Sequence, residues 1–273
     1  MIDVRPKKRF GQNFLHDSSV VERILTAAAV DAGARVLEIG PGLGALTERL
    51  LEQGAEMTVM EVDRELAARL VERGEPKLTV HQGDALRLDW PTLLSAPPYR
   101  LVANLPYNIS SQILFKILDH HRLFSRLVLM FQKEVGDRLC ASPGGRDYGI
   151  LSVFCQLWFD VKRVTVVHPG AFFPPPKVQS VVLCFDPLAA PRVPVAAEPF
   201  FRRVVKGSFS QRRKTLRNAL VGSGFAAGLD EALSAADIDP GRRGETLSLA
   251  EFARLSDCLA AVSQNSCPRE TSC

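Results

Sequence analysis

The chain has 273 residues, of which 46% are hydrophobic, and its formal net charge at pH 7 is +4. This length and composition can bury a sizeable core, which excludes a disordered protein and leaves room for one large domain and a small one. No apolar run reaches the roughly 18 to 20 residues that cross a bilayer. Six cysteines occur without a Cys-x-x-Cys or a His-Cys cluster at zinc spacing. We therefore expect a cytoplasmic protein with reduced thiols, no membrane association and no metal site.

Residues 1–16 form a leading arm ahead of the first predicted helix. That helix opens within Asp17–Glu22, which contains a Ser-x-x-Glu capping box, and it runs through Ala29. Short aliphatic or β-branched runs then alternate with amphipathic segments, which is typical of a parallel α/β sheet. The predicted strands are Arg35–Ile39, Glu56–Glu61, Leu78–Gln82, Arg100–Ala103 and Leu127–Gln132, and the predicted helices between them are Ala45–Gln53, Arg64–Arg73 and Ser110–His120.

The rest of the chain predicts two more strands and then only helices. Leu151–Val167 and Ser180–Phe185 are expected to form an antiparallel pair at the sheet edge. The proline-punctuated stretch Asp186–Pro194 is typical of a domain linker, and helical periodicity follows it. A second capping box, Ser248-x-x-Glu251, should begin the last helix. The expected domains are residues 1–187, which contain the sheet, and residues 188–273, which are helical.

A glycine-rich turn follows the first predicted strand. Gly40 and Gly42 belong to Gly40-Pro41-Gly42-Leu43-Gly44, where backbone without Cβ atoms can approach a ligand closely. Glu61, at the end of the second strand, is suited to bind a ribose diol. These features fit a dinucleotide site and a methyl-donor site equally well, and a purely structural tight turn is a third alternative.

Residues at the ends of the third and fourth sheet strands favour the methyl donor. Asp84 could accept a hydrogen bond from an adenine amino group. The Asn104 amide and the backbone oxygen of Leu105 could hold both N–H bonds of an exocyclic adenine nitrogen. Its lone pair would then be localised toward a sulfonium methyl group. The ring of Tyr107 could stack on the extruded base. The order of these residues along the chain makes a chance turn a poor explanation.

With several other segments, these motifs resemble the ribosomal RNA adenine N6,N6-dimethyltransferases, and among them the small-subunit KsgA/RsmA family. The resemblance covers nearly the whole chain, to about Leu259. It is carried by Lys8–Leu15, Val36–Gly44, Glu61–Asp63, Gly83–Ala85, Asn104–Ser110, Phe172–Val178 and Ser208–Leu216. It implies a Rossmann-like methyltransferase sheet, mostly parallel with one antiparallel edge strand, and a small C-terminal all-α domain.

The resemblance also implies roles for individual residues. The implied methyl donor is S-adenosyl-L-methionine, and the positions that match its contacts are Asn13, Leu15, Gly40, Gly42, Glu61, Asp84 and Asn104. The implied catalytic residues are Asn104, Leu105, Tyr107 and Phe172. Phe172 matches an aromatic that sandwiches the target base opposite Tyr107, and core packing is the alternative for Phe172 and its neighbour Phe173. The implied reaction dimethylates N6 of two adjacent adenosines in the 3′-terminal hairpin loop of 16S rRNA. The implied partner is this rRNA in a small-subunit precursor particle, without an obligatory protein partner.

Basic residues are concentrated in the C-terminal part of the chain. Seven of the 18 residues from Phe200 to Arg217 are basic and none is acidic. A solvated helix face is the alternative explanation, but a single-sign stripe fits a phosphate backbone better. The predicted RNA-binding residues are Arg202, Arg203, Lys206, Arg212, Arg213, Lys214 and Arg217.

Three other functions compete with this prediction. A 23S rRNA dimethyltransferase of the antibiotic-resistance type shares the arm, the glycine turn and the Asn-x-x-Tyr signature, but Gly244–Ser248 in the helical segment favours the small-subunit type. A catalytically silent ribosome-assembly or transcription factor would have no need of an intact Glu61, Asp84, Asn104 and Tyr107. An NAD-dependent oxidoreductase leaves Asn-Leu-Pro-Tyr and the basic stripe unexplained.

Overall fold

The computed structural model describes residues 6–265, which fall into two compact units. The first unit contains the residues up to Asp137 and Phe159–Pro187, and the second contains Arg138–Trp158 and the residues from Leu188 onward. The strands are β1 Phe14–Leu15, β2 Arg35–Ile39, β3 Glu56–Glu61, β4 Leu78–Gln82, β5 Tyr99–Asn104, β6 Phe124–Gln132, β7 Phe159–Val167, β8 Phe172–Phe173 and β9 Ser180–Pro187. The helices are α1 Ser18–Ala28, α2 Ala45–Glu52, α3 Arg64–Glu72, α4 Trp90–Leu93, α5 Ser110–Asp119, α6 Lys133–Leu139, α7 Ile150–Trp158, α8 Glu198–Phe209, α9 Leu216–Gly222, α10 Leu229–Ala235 and α11 Leu249–Asn265.

The first unit is built on a seven-stranded sheet in the order β4-β3-β2-β5-β6-β9-β7. Strands β2 to β6 pair in parallel, and β9 is antiparallel to both of its neighbours. Val36, Leu37 and Ile39 of β2 are all nearly inaccessible to solvent, as expected for a strand covered on both faces. The prediction of a mostly parallel sheet with one antiparallel strand is confirmed, although the antiparallel strand β9 lies one place inside the edge, which is formed by β7.

The prediction of a strand over Leu151–Val167 is wrong in its first half. Residues Ile150–Trp158 form α7, and the strand begins only at Phe159. Six of the nine residues of α7 are buried, and its apolar run has no period-2 alternation. Periodicity alone cannot separate such a run from a fully buried strand. The β-branched residues that favour a strand are concentrated after Phe159.

The two predicted capping boxes have different outcomes. Ser248 and Glu251 form the reciprocal pair, because the Ser248 N–H donates to Glu251 Oε2 at 2.7 Å and the Glu251 N–H donates to Ser248 Oγ at 3.2 Å. At α1 the predicted box does not form. Asp17 caps this helix instead, since its Oδ1 accepts from the Ser19 N–H at 2.9 Å. An aspartate one residue before the helix satisfies the same orphan donors that a serine would.

The second unit consists of helices around an aromatic and aliphatic core. Phe201 and Val205 of α8 are fully buried, and the ring of Phe201 lies 6.5 Å from that of Phe154 in α7. Helix α7 therefore packs with the C-terminal helices, although it precedes the predicted boundary at residue 187. Residues 188–197 contain no helix or strand, as expected for the predicted linker. None of the helices within residues 6–265 is long and apolar enough to cross a bilayer.

Candidate active site

A cavity of about 270 Å³ lies where the carboxyl ends of β2, β3, β4 and β5 meet. Parallel strands bring their carboxyl ends to one edge of a sheet, which is where open α/β folds bind ligands. The cavity brings together all but one of the predicted donor-binding and catalytic residues: Asn13, Leu15, Gly40, Gly42, Glu61, Asp84, Asn104, Leu105 and Tyr107 line it. The remaining predicted residue, Phe172, is not among its lining residues.

The glycine turn after β2 forms one wall of the cavity. Gly40 and Gly42 have φ angles of 68° and 60°, which L side chains rarely adopt. A Cβ atom on Gly42 would lie 3.0 Å from the ring of Phe14 in the arm. Glycine is therefore needed here both for the turn and for the close approach of the arm.

Glu61 is buried at the end of β3, with 4% of its surface exposed. Its Oε1 accepts from the Asp63 N–H at 2.8 Å, and its Oε2 accepts from the Gly42 N–H at 3.2 Å. Burial raises the pKa of Glu61, and these backbone hydrogen bonds oppose the rise. Because a carboxylate offers about four lone-pair positions, Glu61 can still accept from a ligand hydroxyl.

Glu38, near the end of β2, is a second buried acid in the cavity and was not predicted as a site residue. Only 2% of its surface is exposed, and its Oε2 accepts from the Thr47 hydroxyl at 2.5 Å. Burial raises the pKa of Glu38 to about 8, and the nearby Glu61 contributes to the rise. Glu38 is therefore mostly neutral at pH 7. The available sequence signal is an acid among the apolar residues Val36, Leu37 and Ile39, in a strand of a parallel sheet whose strands are usually covered on both faces.

The arm lines another side of the cavity and is fastened to the end of β3. Lys7 Nζ lies 2.8 Å from Asp63 Oδ1, and Gln12 Nε2 donates to Asp63 Oδ2 at 3.0 Å. Further along, β1 of the arm pairs with β8 in an antiparallel register. The resemblance led us to expect that the arm contacts the donor, but the residues that hold it in place were not predicted, because they pair across more than 50 positions of sequence.

The Asn104–Tyr107 segment follows β5 and enters the cavity. Asn104 Nδ2 donates to the backbone oxygen of Asn13 in the arm at 3.0 Å, so the amide oxygen is the end that remains for a ligand donor. Leu105 is buried, with 1% of its surface exposed. Because its side chain is apolar, the group that it can offer as a hydrogen-bond acceptor is its backbone oxygen. Tyr107 is half-buried, and burial raises the pKa of its phenol.

Asp84 follows β4 on a loop that a lysine holds in place. The carboxylate accepts from the Leu86 N–H at 2.9 Å, and its side chain is 40% exposed. Lys116 Nζ donates to the backbone oxygens of Ala85, Leu86 and Leu88. This lysine on α5 fixes the loop that presents Asp84, and its role could not be foreseen from sequence.

The two rings of β8 differ in accessibility. Phe172 is 2% exposed and belongs to the core of the first unit, whereas Phe173 is 44% exposed. Core packing therefore describes Phe172 better than a free stacking surface does. The catalytic assignment of Phe172 stays a prediction, and of the two rings Phe173 is the accessible one.

The predicted RNA-binding residues of the second unit differ in how their charges are compensated. Arg202 pairs with Glu198, and Arg217 makes two hydrogen bonds to Asp230. Arg212 donates to a backbone oxygen, that of Arg146. The remaining members, Arg203, Lys206, Arg213 and Lys214, are all exposed. Within residues 6–265 no group of three histidine, cysteine, aspartate or glutamate side chains could hold a metal ion.

The chain is similar to known proteins along most of its length. The family model described as ribosomal RNA adenine dimethylase matches residues 4–261. A protein named ribosomal RNA small subunit methyltransferase A from Syntrophotalea carbinolica is 65% identical over 93% of this chain and 97% of its own length. One of the same name from Geobacter sulfurreducens is 53% identical over 95% of this chain and 97% of its own length.

Two solved structures share the fold over about nine-tenths of the chain. A dimethyladenosine transferase from Plasmodium falciparum superposes with a TM-score of 0.74 at 28% identity, covering 89% of this chain and 95% of its own. The 23S rRNA methyltransferase ErmE superposes with a TM-score of 0.67 at 27% identity, covering 91% of this chain and all of its own. The small-subunit relatives therefore resemble this chain far more closely in sequence than the 23S enzyme does.

Proposed function

This chain belongs to the ribosomal RNA adenine dimethylase family, and on that premise we propose that it methylates N6 of two adjacent adenosines in the 3′-terminal hairpin loop of 16S rRNA. As a member of the family it is an S-adenosylmethionine-dependent rRNA adenine dimethyltransferase. The choice of these adenosines is the proposed part. That choice is supported by the small-subunit methyltransferases that are 65% and 53% identical to this chain. The observation that carries transfer to N6 is the Asn104 amide, whose nitrogen is bonded to the arm while its oxygen remains for an adenine amino group.

The residues of the cavity fit the methyl donor. Glu61 is a buried acid that accepts hydrogen bonds from the backbone amides of Gly42 and Asp63, which suits it to ribose hydroxyls. The turn at Gly40 and Gly42 leaves backbone uncovered at the end of β2, and a side chain at Gly42 would crowd Phe14 of the arm. Asn13, Leu15 and Asp84 are proposed to complete the donor site. When bound, S-adenosyl-L-methionine supplies a methyl group whose bond to sulfur breaks as a bond to N6 forms; sulfur keeps the electron pair and N6 loses a proton to solvent.

The chain's own contribution to the reaction is proposed to be geometric and electrostatic. Asn104 Oδ1 and the Leu105 backbone oxygen accept the two N6–H bonds and turn the nitrogen lone pair out of the adenine plane. Tyr107 offers its ring to the base on one side, and a ring of β8 is proposed to face the other side. In this arrangement no side chain needs to form a covalent bond with the substrate.

We assign RNA binding to residues 188–273 and catalysis to residues 1–187. The exposed basic residues Arg213 and Lys214 suit phosphate groups, while exposure of the loop in single-stranded form would select the adenosines. The proposed substrate is a small-subunit precursor particle, without an obligatory protein partner, and this would place the protein in the cytoplasm.

Mass-spectrometric mapping of methylated adenosines tests the proposal directly. Unmodified small subunits and 23S rRNA are incubated separately with the protein and labelled donor. We expect dimethylation at two adjacent adenosines of 16S rRNA and none on 23S rRNA. The variant Asn104→Ala should lose about 100-fold or more in turnover while it still binds the donor. Label on 23S rRNA alone would favour the antibiotic-resistance type, and no label on any RNA would favour a silent assembly factor.

A further inference from the structure

Ser180 is a fully buried residue at the beginning of β9. Its backbone is held inside the sheet, opposite Gln132 of β6 on one side and Val167 of β7 on the other. Its hydroxyl oxygen lies 2.5 Å from the phenolic oxygen of Tyr107, a residue 73 positions away in sequence. A rigid part of the sheet is thereby connected to the ring that is proposed to meet the adenine.

Tyr107 is anchored at both of its ends. The hydroxyl of Ser110, which is also buried, donates to the backbone oxygen of Tyr107 at 3.2 Å. The phenolic oxygen lies on the long axis of the ring, so its bond to Ser180 sets the direction in which the ring points. Because burial raises the phenol pKa above its ordinary value, the phenol keeps its proton at neutral pH and can donate in this bond.

We propose that Ser180 is a positioning residue for methyl transfer, whose buried hydroxyl holds the Tyr107 ring in the orientation that stacks on the target adenine. The inference rests on the proposed function. Removing either hydroxyl leaves the other one buried without this partner, so the ring is no longer tethered. A displacement of about 1 Å in a reacting arrangement can slow a reaction by as much as about 100-fold.

The test compares Ser180→Ala, Tyr107→Phe and the double variant in single-turnover methylation at saturating donor and RNA. We expect each single variant to react about 10-fold more slowly than wild type, with donor affinity and RNA affinity within about twofold. We expect the double variant to react no more than about twofold more slowly than Tyr107→Phe. Both substitutions remove the same hydrogen bond, so their effects should not multiply.

A spectroscopic readout follows the ring itself. With 2-aminopurine in place of the target adenine, stacking on Tyr107 should quench the fluorescence in wild type, and Ser180→Ala should restore part of it at equal RNA occupancy. A purely structural role of Ser180 would not change this signal in the folded protein.

Ser180→Cys separates the loss of the hydrogen bond from a folding defect, because cysteine nearly preserves the side-chain volume but offers only a weak hydrogen bond. It should reproduce the slower reaction. Ser152→Ala is the matched control, since Ser152 is equally buried and donates to a backbone oxygen in the second unit. It should lower the melting temperature without changing the transfer rate of folded protein.

Two results would overturn the inference: wild-type rates in folded Ser180→Ala and Ser180→Cys, or losses that multiply in the double variant. A wild-type protein that methylates no RNA would refute the proposed function instead, so the two failures are distinguishable.

Discussion

Replacing Glu38 with glutamine should remove part of the pH dependence of folding stability. The folded state holds a proton on this buried carboxyl up to about pH 8, whereas the unfolded chain releases it near the ordinary value of 4.5. Between these two values the folded state binds more protons than the unfolded state. The free energy of unfolding contributed by Glu38 is therefore fully present below pH 4.5 and is lost as the pH rises toward 8.

The size of the effect follows from that interval. Each pH unit between the two pKa values corresponds to about 1.4 kcal/mol, so the whole interval sets an upper bound of about 5 kcal/mol. Glu38 lines the cavity, from which water can solvate the carboxylate once it forms. Because such solvation reduces the loss, we expect it to reach at most about 4 kcal/mol between about pH 5 and pH 8. Glutamine has nearly the same shape, can still accept from Thr47 and does not titrate.

Urea unfolding at a series of pH values from about 5 to 9 measures this contribution. Glu61 also has a raised pKa and adds a dependence of the same sign, so the quantity to follow is the difference between wild type and Glu38→Gln. Glu72→Gln, at an exposed position in α3, is the matched control and should run parallel to wild type. If the Glu38→Gln curve also runs parallel to wild type throughout, Glu38 does not carry its proton to neutral pH and the reasoning is refuted.

Two further predictions concern packing and RNA binding. Gly136→Ala should destabilise the fold by about 1–3 kcal/mol, because its Cβ would lie 2.1 Å from Val181 Cγ1. Gly170→Ala is the control and should be nearly neutral, since its Cβ would have nothing within 4 Å. Melting temperatures of the two variants test this prediction, and equal values would contradict the packing argument. Lys214→Ala should reduce the slope of log RNA affinity against log salt concentration by about one. Lys77→Ala, at an exposed position outside the basic segment, should leave this slope unchanged. Equal effects of the two substitutions would mean that only the net charge of the protein matters.

Much of the first unit could be predicted from short-range patterns. The strands β2, β3 and β4 have the predicted bounds, because each is a short run containing aliphatic or β-branched residues between helical segments. The glycine turn and the acids that end or follow these strands were located for the same reason. The helix α7 was missed because six of its nine residues are buried, and a short, mostly apolar run is easily mistaken for a buried strand.

The chemistry of the site was predicted only where a motif carries it. Asn104, Leu105 and Tyr107 were assigned from the match between an amide, a carbonyl, a ring and the needs of an adenine amine. The neighbours that orient them carry no such mark in the sequence. Ser180 is one serine among many in the chain, and its meeting with Tyr107 depends on how β9 inserts between β6 and β7.

By itself the sequence determined the alternating strands and helices of the parallel sheet, the turn that can approach a ligand and the functional groups available at the strand ends. These depend on residues that are neighbours along the chain. Only the tertiary structure decided which hydroxyl tethers Tyr107, which acid keeps its proton and which ring of β8 reaches solvent. Hydrogen-bond partners, pKa values and exposure are set by atoms brought together from distant segments, and no local pattern encodes that proximity.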